Sequence, residues 1–339
     1  MPTLPSVKRF VARGGVRIYR IPCRVFEYLT ARVYLLVGAG PPTLVDTGSG
    51  QDPCTDQILA GLDAVRDEFG ESVRPEDIRR ILITHGHVDH VGGLWQLRDR
   101  IDAEIGIHRL DRRALIAAEE RAVVGKRRMH NFLKATGLEP TRLEALMGTT
   151  RYDRLKRPPV PVEIAVEDGG QLDGIRFIYT PGHAPGHVCM IIDDVLLCGD
   201  HVLAKTLPQQ WPESAIPNTG LARYLESLDK IQRIDGIDLT LAAHEPVIAD
   251  VYKRIETIRA SQMRRLDRLI DILQQADQPL SISRIAKAMY VRATGFRETL
   301  ALCDVGARVE YLHQRGELVI ANLDEVESQE SPICRYVVA

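Results

Sequence analysis

Thr84-His85-Gly86-His87-Val88-Asp89-His90-Val91-Gly92-Gly93 places four metal-capable side chains within six positions, directly after the apolar run Ile78 to Ile83. The run is short enough to be a buried strand, so the histidines stand at its C-terminal end, where open α/β sheets carry their sites. Imidazole and carboxylate donors without a thiolate favour Zn2+, with Fe2+ or Mn2+ as substitutes, over Mg2+ or Ca2+. In extended chain His85 and His87 point the same way and can share one ion, while Asp89 and His90, at the turn into a helix, aim at a second place. Two metals are implied.

Three other strand ends complete the donor set: Thr180-Pro181-Gly182-His183, Gly199-Asp200 after LLC, and His244 after LTLAA. Assembled, His85, His87 and His183 would hold one ion, Asp89, His90 and His244 the other, and Asp200 would bridge them. Two ions about 3.5–4 Å apart lower the pKa of a shared water and stabilise the oxyanion its attack creates.

Around these motifs the chain alternates strands and helices. VRIYRIP, ARVYLLVG and PTLVDTG read as an antiparallel meander, 56–69 as a helix, 91–100 as a helix after Gly-Gly, and Glu104 to His108 as a strand. Strands resume in VEIAVEDGG, GIRFIYTPG and CMIIDDVLLCGD, where Asp193-Asp194 suits a hairpin turn, followed by a helix over 221–234. This is an α/β protein. The first domain is expected at 1–255, with a basic helical insert over 108–157 that carries 13 Lys/Arg against 6 Asp/Glu, net +7. Residues 256–339 read as three helices and a strand, a small winged-helix unit.

Composition excludes several classes. The 339 residues suit about two domains, and 45% hydrophobic with 27% charged is a globular balance. Lys+Arg 44 against Asp+Glu 46 gives no global field for nucleic acid or membrane. Six cysteines with no CxxC indicate neither a disulfide scaffold nor a zinc ribbon, and no segment is apolar enough to span a bilayer. A cytoplasmic, reducing location is expected.

HxHxDH with GG, then TPGH, GD and a late strand-end histidine, with the early LVDTG, resembles the metallo-β-lactamase fold superfamily over residues 15–255. That resemblance implies an αββα sandwich, with the seven donors above as metal ligands and Asp46 supporting the His-rich loop by hydrogen bonding. THGHVDHVGG and TPGHAPGHV, with Asp at the second metal and no cysteine ligand, are closest to the glyoxalase II branch, and the added C-terminal unit resembles the lactamase-beta-2-like group. Members of that neighbourhood are thioester hydrolases and single-strand endoribonucleases. His187 belongs to the surroundings of the site. His108, His201 and His313 read as structural, His130 is a weaker candidate for substrate contact, and Gln209, Gln210 and Trp211 are candidates to border the cleft.

A dinuclear site implies hydrolysis but leaves the bond open, since one fold hosts many reactions. The expected reaction is attack of a metal-bound hydroxide on an activated acyl carbon, with Asp89 orienting the nucleophile and shuttling its proton. Residues 256–339 carry 11 Lys/Arg and 12 Asp/Glu, a poor balance for reading DNA, so this unit is expected to pack or dimerise. The basic insert would act as a lid that steers a small anionic acyl substrate. RNA binding would add stacking aromatics, and the insert offers only Phe132 and Tyr152. A thioester of glutathione or coenzyme A, or a related ester, is therefore favoured over the alternatives, a single-strand RNA or other phosphodiester and a lactone. A DNA-binding regulator acting through the winged helix is the alternative from another class.

Overall fold

The computed structural model describes residues 4–149 and 157–339. Expectations for Arg151, Tyr152, Arg154 and Lys156 lie outside these residues. The chain divides into two units: one holds 4–118, 157–208 and 227–255, the other 119–149, 209–226 and 256–339.

The first unit contains two sheets. β1 (Lys8–Val11), β2 (Arg17–Phe26), β3 (Leu29–Val37), β4 (Thr43–Val45), β5 (Arg80–Leu82), β6 (Glu104–Ile107) and β7 (Ile164–Ala165) pair in sequence order, antiparallel as far as β4 and parallel from there. The second sheet has the order β12-β11-β10-β9-β8, from β8 (Gln171–Leu172), β9 (Ile175–Tyr179), β10 (Val188–Ile192), β11 (Val195–Gly199) and β12 (Leu239–Ala242). β11 and β12 are parallel and the rest antiparallel. At the β10–β11 hairpin, Asp193 and Asp194 form the turn between Ile192 and Val195. Their carboxylates also accept the Gly14 and Arg13 N–H groups.

Strand alternation explains the layering. Ile18, Tyr34, Leu36, Val45 and Leu82 of the first sheet pack with Phe177, Val188, Met190 and Leu197 of the second. The opposite face of the first sheet, with Tyr19, Ile21, Val33, Leu35 and Ile81, is covered by Ile58, Leu62 and Val65. These three lie on α1 (Cys54–Phe69), which ends at Gly70, φ 73°, whose N–H bonds Arg66 O. At about 1.5–3 kcal/mol for each large aliphatic side chain buried, a sheet apolar on both faces needs a cover on both.

The helix expected over 91–100 is instead two single turns, α2 (Val88–Val91) and α3 (Leu94–Leu97). The break has a cause in the turn after β4. Thr47 donates both N–H and Oγ1–H to His90 O, at 2.7 and 2.8 Å, taking the carbonyl a continuous helix would use. The turn approaches so closely that a Cβ on Gly92 would lie 2.1 Å from Ser49 O and one on Gly93 2.0 Å from Thr47 O. After β6 comes the single turn α4 (Arg113–Ile116).

The second unit is mainly helical. It contains α5 (Ala118–Ala135) and α6 (Pro140–Thr149), the first part of α7 (Leu221–Gln232), most of α8 (Val251–Gln274), α9 (Ile282–Met289) and α10 (Phe296–Gln314). β13 (Leu318–Ile320) and β14 (Tyr336–Val338) form an antiparallel ribbon, with α11 (Leu323–Ser328) between them and a bridge from Leu280 to Tyr336. Most of the basic insert, expected in the first domain, packs here. Met129, Phe132 and Leu133 form a buried stripe on α5. Phe132 lies against Gly306 of α10, Met129 Sδ is 3.8 Å from Cys303 Sγ, and Arg142 of α6 pairs with Glu298. Among the described residues no helix is long and apolar enough to cross a membrane.

Candidate metal centre

All seven expected donors come together at strand ends of the first unit. Ligand atoms of His85, His87 and His183 lie within 4.8 Å of one another, as do those of Asp89, His90 and His244. A third such group, His85, His90 and Asp200, draws a residue from each of those triads to Asp200. Asp200 Oδ2 lies 3.5 Å from His183 Nε2 and 3.6 Å from His90 Nε2, and its Oδ1 lies 3.5 Å from His244 Nε2. His244 Nε2 is 3.3 Å from Asp89 Oδ2.

Two of the imidazoles are turned by a bond on their far side. His90 Nδ1 donates to Asp46 Oδ2 at 2.8 Å and His244 Nδ1 donates to Thr30 O at 2.9 Å, so both present Nε2 to the cluster. Asp46 also accepts from Thr84 N–H at 2.8 Å and from Thr84 Oγ1. His187 stands behind Asp200: its Nδ1 is 2.8 Å from Thr180 Oγ1, and its Nε2 accepts the Asp200 N–H at 3.1 Å.

The electrostatics suit cations. Burial, reinforced by the imidazoles of His90 and His87, holds His85 well below the ordinary histidine range, so it is a neutral donor. Burial alone would lower His90, but the carboxylates of Asp46, Asp200 and Asp89 outweigh it and hold that imidazole well above its usual value. Burial would likewise raise Asp200, but His244 and His90 outweigh it and keep the carboxyl well below the normal range. The buried Asp46 and Asp200 and the half-buried Asp89 thus draw positive charge, which protons or divalent ions can supply. His90 Nε2 and Asp200 Oδ1 are buried without a hydrogen-bond partner, as atoms reserved for coordination would be.

The sequence profile of the metallo-beta-lactamase superfamily matches residues 29–244, well over half of the chain. The chain belongs to that superfamily. Probable metallo-hydrolase YflN of Bacillus subtilis is 28% identical over 188 residues, 51% of this chain and 61% of YflN. The chain thus spans about six tenths of that relative's length. An atrochrysone carboxyl ACP thioesterase of Aspergillus chevalieri is 23% identical over 82% of this chain and 71% of its own, and a hydroxyacylglutathione hydrolase of Shewanella pealeana is 25% identical over 50% and 48%. A crystal structure of a metallo-beta-lactamase family protein from Thermus thermophilus superposes with a TM-score of 0.72 at 26% identity, covering 95% of this chain and 98% of that one.

The remaining histidines of this superfamily member lie elsewhere. His108 stacks on Tyr179 with ring centroids 4.3 Å apart, and His201 is fully buried, its ring 6.0 Å from that of His187. His313 lies near Tyr336 in the second unit. His130 lines a cavity of about 460 Å3 between α5 and α6, with Val123, Lys126, Arg127, Glu144, Met147 and Gly148. Gln209, Gln210 and Trp211 also belong to the second unit, where Gln209 Nε2 donates to Leu300 O at 3.1 Å. Sequence reasoning missed Asp111, which accepts the Gly86 N–H from four residues past β6 and had counted only as a charge. Its partner is distant in sequence, so no local signal marked it.

Proposed function

We propose that the chain is a dinuclear-metal hydrolase of activated acyl compounds, thioesters foremost. The observation that carries this reading is the convergence of three overlapping His/Asp donor groups, without cysteine, at the ends of strands in both sheets. His85, His87 and His183 would hold one divalent cation, Asp89, His90 and His244 the second, and Asp200 would reach both. Zn2+ suits these donors, as do Fe2+ and Mn2+. Bound there, two such ions would lower the pKa of a coordinated water toward neutrality and stabilise negative charge on the acyl oxygen.

The chain's own residues supply orientation. Asp46 and Thr30 fix the rings of His90 and His244, and His187 fixes the backbone at Asp200. Asp89, brought to about 2 because the imidazoles of His90 and His244 outweigh its burial, is an ionised acceptor that aligns the attacking water.

Two observations favour a thioester over RNA. Relatives named for thioester substrates align with this chain, one of them over 82% of its length. Phe132 is buried and therefore offers no surface for base stacking, which disfavours RNA. The test is a panel of glutathione and coenzyme A thioesters, lactones and a bis-phosphodiester, with single-stranded RNA as contrast. Thioester hydrolysis should vanish on chelation and return with Zn2+. Full activity of a metal-free sample, or faster cleavage of RNA than of every thioester, would sink the proposal.

A further inference from the structure

We infer that Asp111 is a positioning residue that secures the His85, His87 and His183 end of the metal centre, an inference that rests on the two-metal reading above. Asp111 is 1% exposed, and its Oδ2 accepts the Gly86 N–H at 2.8 Å. Gly86 is the peptide between His85 and His87, so this bond sets the backbone from which both imidazoles project. The other side of Asp111 faces the second histidine loop. A Cβ on Gly186 would lie 2.8 Å from Asp111 N and 2.9 Å from its Cβ and Cγ, so that loop, which carries His183 and His187, packs directly on the same residue.

Asp111 is itself held. Its N–H bonds His108 O at 2.9 Å, at the end of β6, and its carbonyl accepts from Ala114 N at 2.8 Å, at the start of α4. It therefore works as a wedge fixed to the sheet, with a hydrogen bond to one ligand loop and a steric stop for the other. Neither contact touches Asp89, His90 or His244; Asp46 and Thr30 turn the rings of His90 and His244, and Thr47 holds the His90 carbonyl. One end of the centre should consequently depend on Asp111 and the other should not.

The experiment is a calorimetric Zn2+ titration of metal-free parent, Asp111→Ala and Asp111→Asn proteins, with circular dichroism and thermal unfolding alongside. The parent should take up two ions. Asp111→Ala should bind one of them about 10–100-fold more weakly while the other keeps its affinity. Asp111→Asn, whose amide oxygen can still accept from Gly86, should restore both. A parent binding fewer than two ions overturns the two-metal reading and this inference together. With two ions in the parent, an Ala variant that matches it, weakens both ions alike or fails to fold overturns the role of Asp111 alone, as does an Asn variant no better than Ala.

Discussion

His90 donates through Nδ1 to Asp46 Oδ2 over 2.8 Å, and Asp46 accepts that bond from a left-handed backbone conformation, φ 62°. Few side chains tolerate that conformation, and Asn is among them. Asp46→Asn should therefore fold like the parent yet lose the paired acceptance from Thr84 and His90, lowering the affinity of the Asp89–His90–His244 end for Zn2+ by about tenfold or more. Asp46→Ala should add a cost in unfolding free energy of about 1–3 kcal/mol for the strained backbone. Metal titration and denaturant melts separate the two effects; an Asn variant with parental affinity would show that the bond is idle.

Glu71 gives a pH signature away from the metal centre. Its bond to Arg17, helped by Tyr19, lowers its carboxyl below the ordinary 4.5 against the opposing pull of burial. Because the folded value is the lower one, the stabilisation is complete above about pH 4.5 and is lost as pH falls through the folded value. The parent should therefore exceed Glu71→Gln in urea stability near pH 6, and the gap should close on acidification. A gap independent of pH would count against the Arg17–Glu71 pair as its source.

In the second unit Arg308 is fully buried, its Nη1 2.6 Å from Asp304 Oδ1 and its Nη2 2.5 Å from Gln262 Oε1. Arg308→Ala leaves Gln262 Oε1 without its donor and Asp304 with only Tyr290 and Arg265 as partners, and should cost about 3–5 kcal/mol, whereas Arg308→Met with Asp304→Leu should recover part of it. Thermal unfolding decides, and a single Ala variant as stable as the double would contradict the pairing.

The clustering of the candidate donors was legible because they are local: His85, His87, Asp89 and His90 lie in one run, and His183, Asp200 and His244 each follow a short apolar strand. The antiparallel meander and the β10–β11 hairpin were legible for the same reason, since period-two patterning and turn residues are read over a few positions. Distant contacts were not. The helix expected over 91–100 breaks because Thr47 claims His90 O, and the insert departs from the first unit because Phe132 meets Gly306. Asp111 was passed over because its partner, Gly86, lies 25 positions earlier in the chain.

The chain enters the second unit, leaves it, returns over 209–226 and comes back once more after 255. That weaving has a practical meaning for anyone cutting the protein. A fragment ending at residue 255 would retain every proposed ligand, yet strip Met129, Phe132 and Arg142 of Cys303, Gly306 and Glu298. During synthesis, likewise, α5 and α6 emerge long before α10 exists to cover them. Their apolar stripe is thus a sticky surface that the nascent chain must carry until its last third is made.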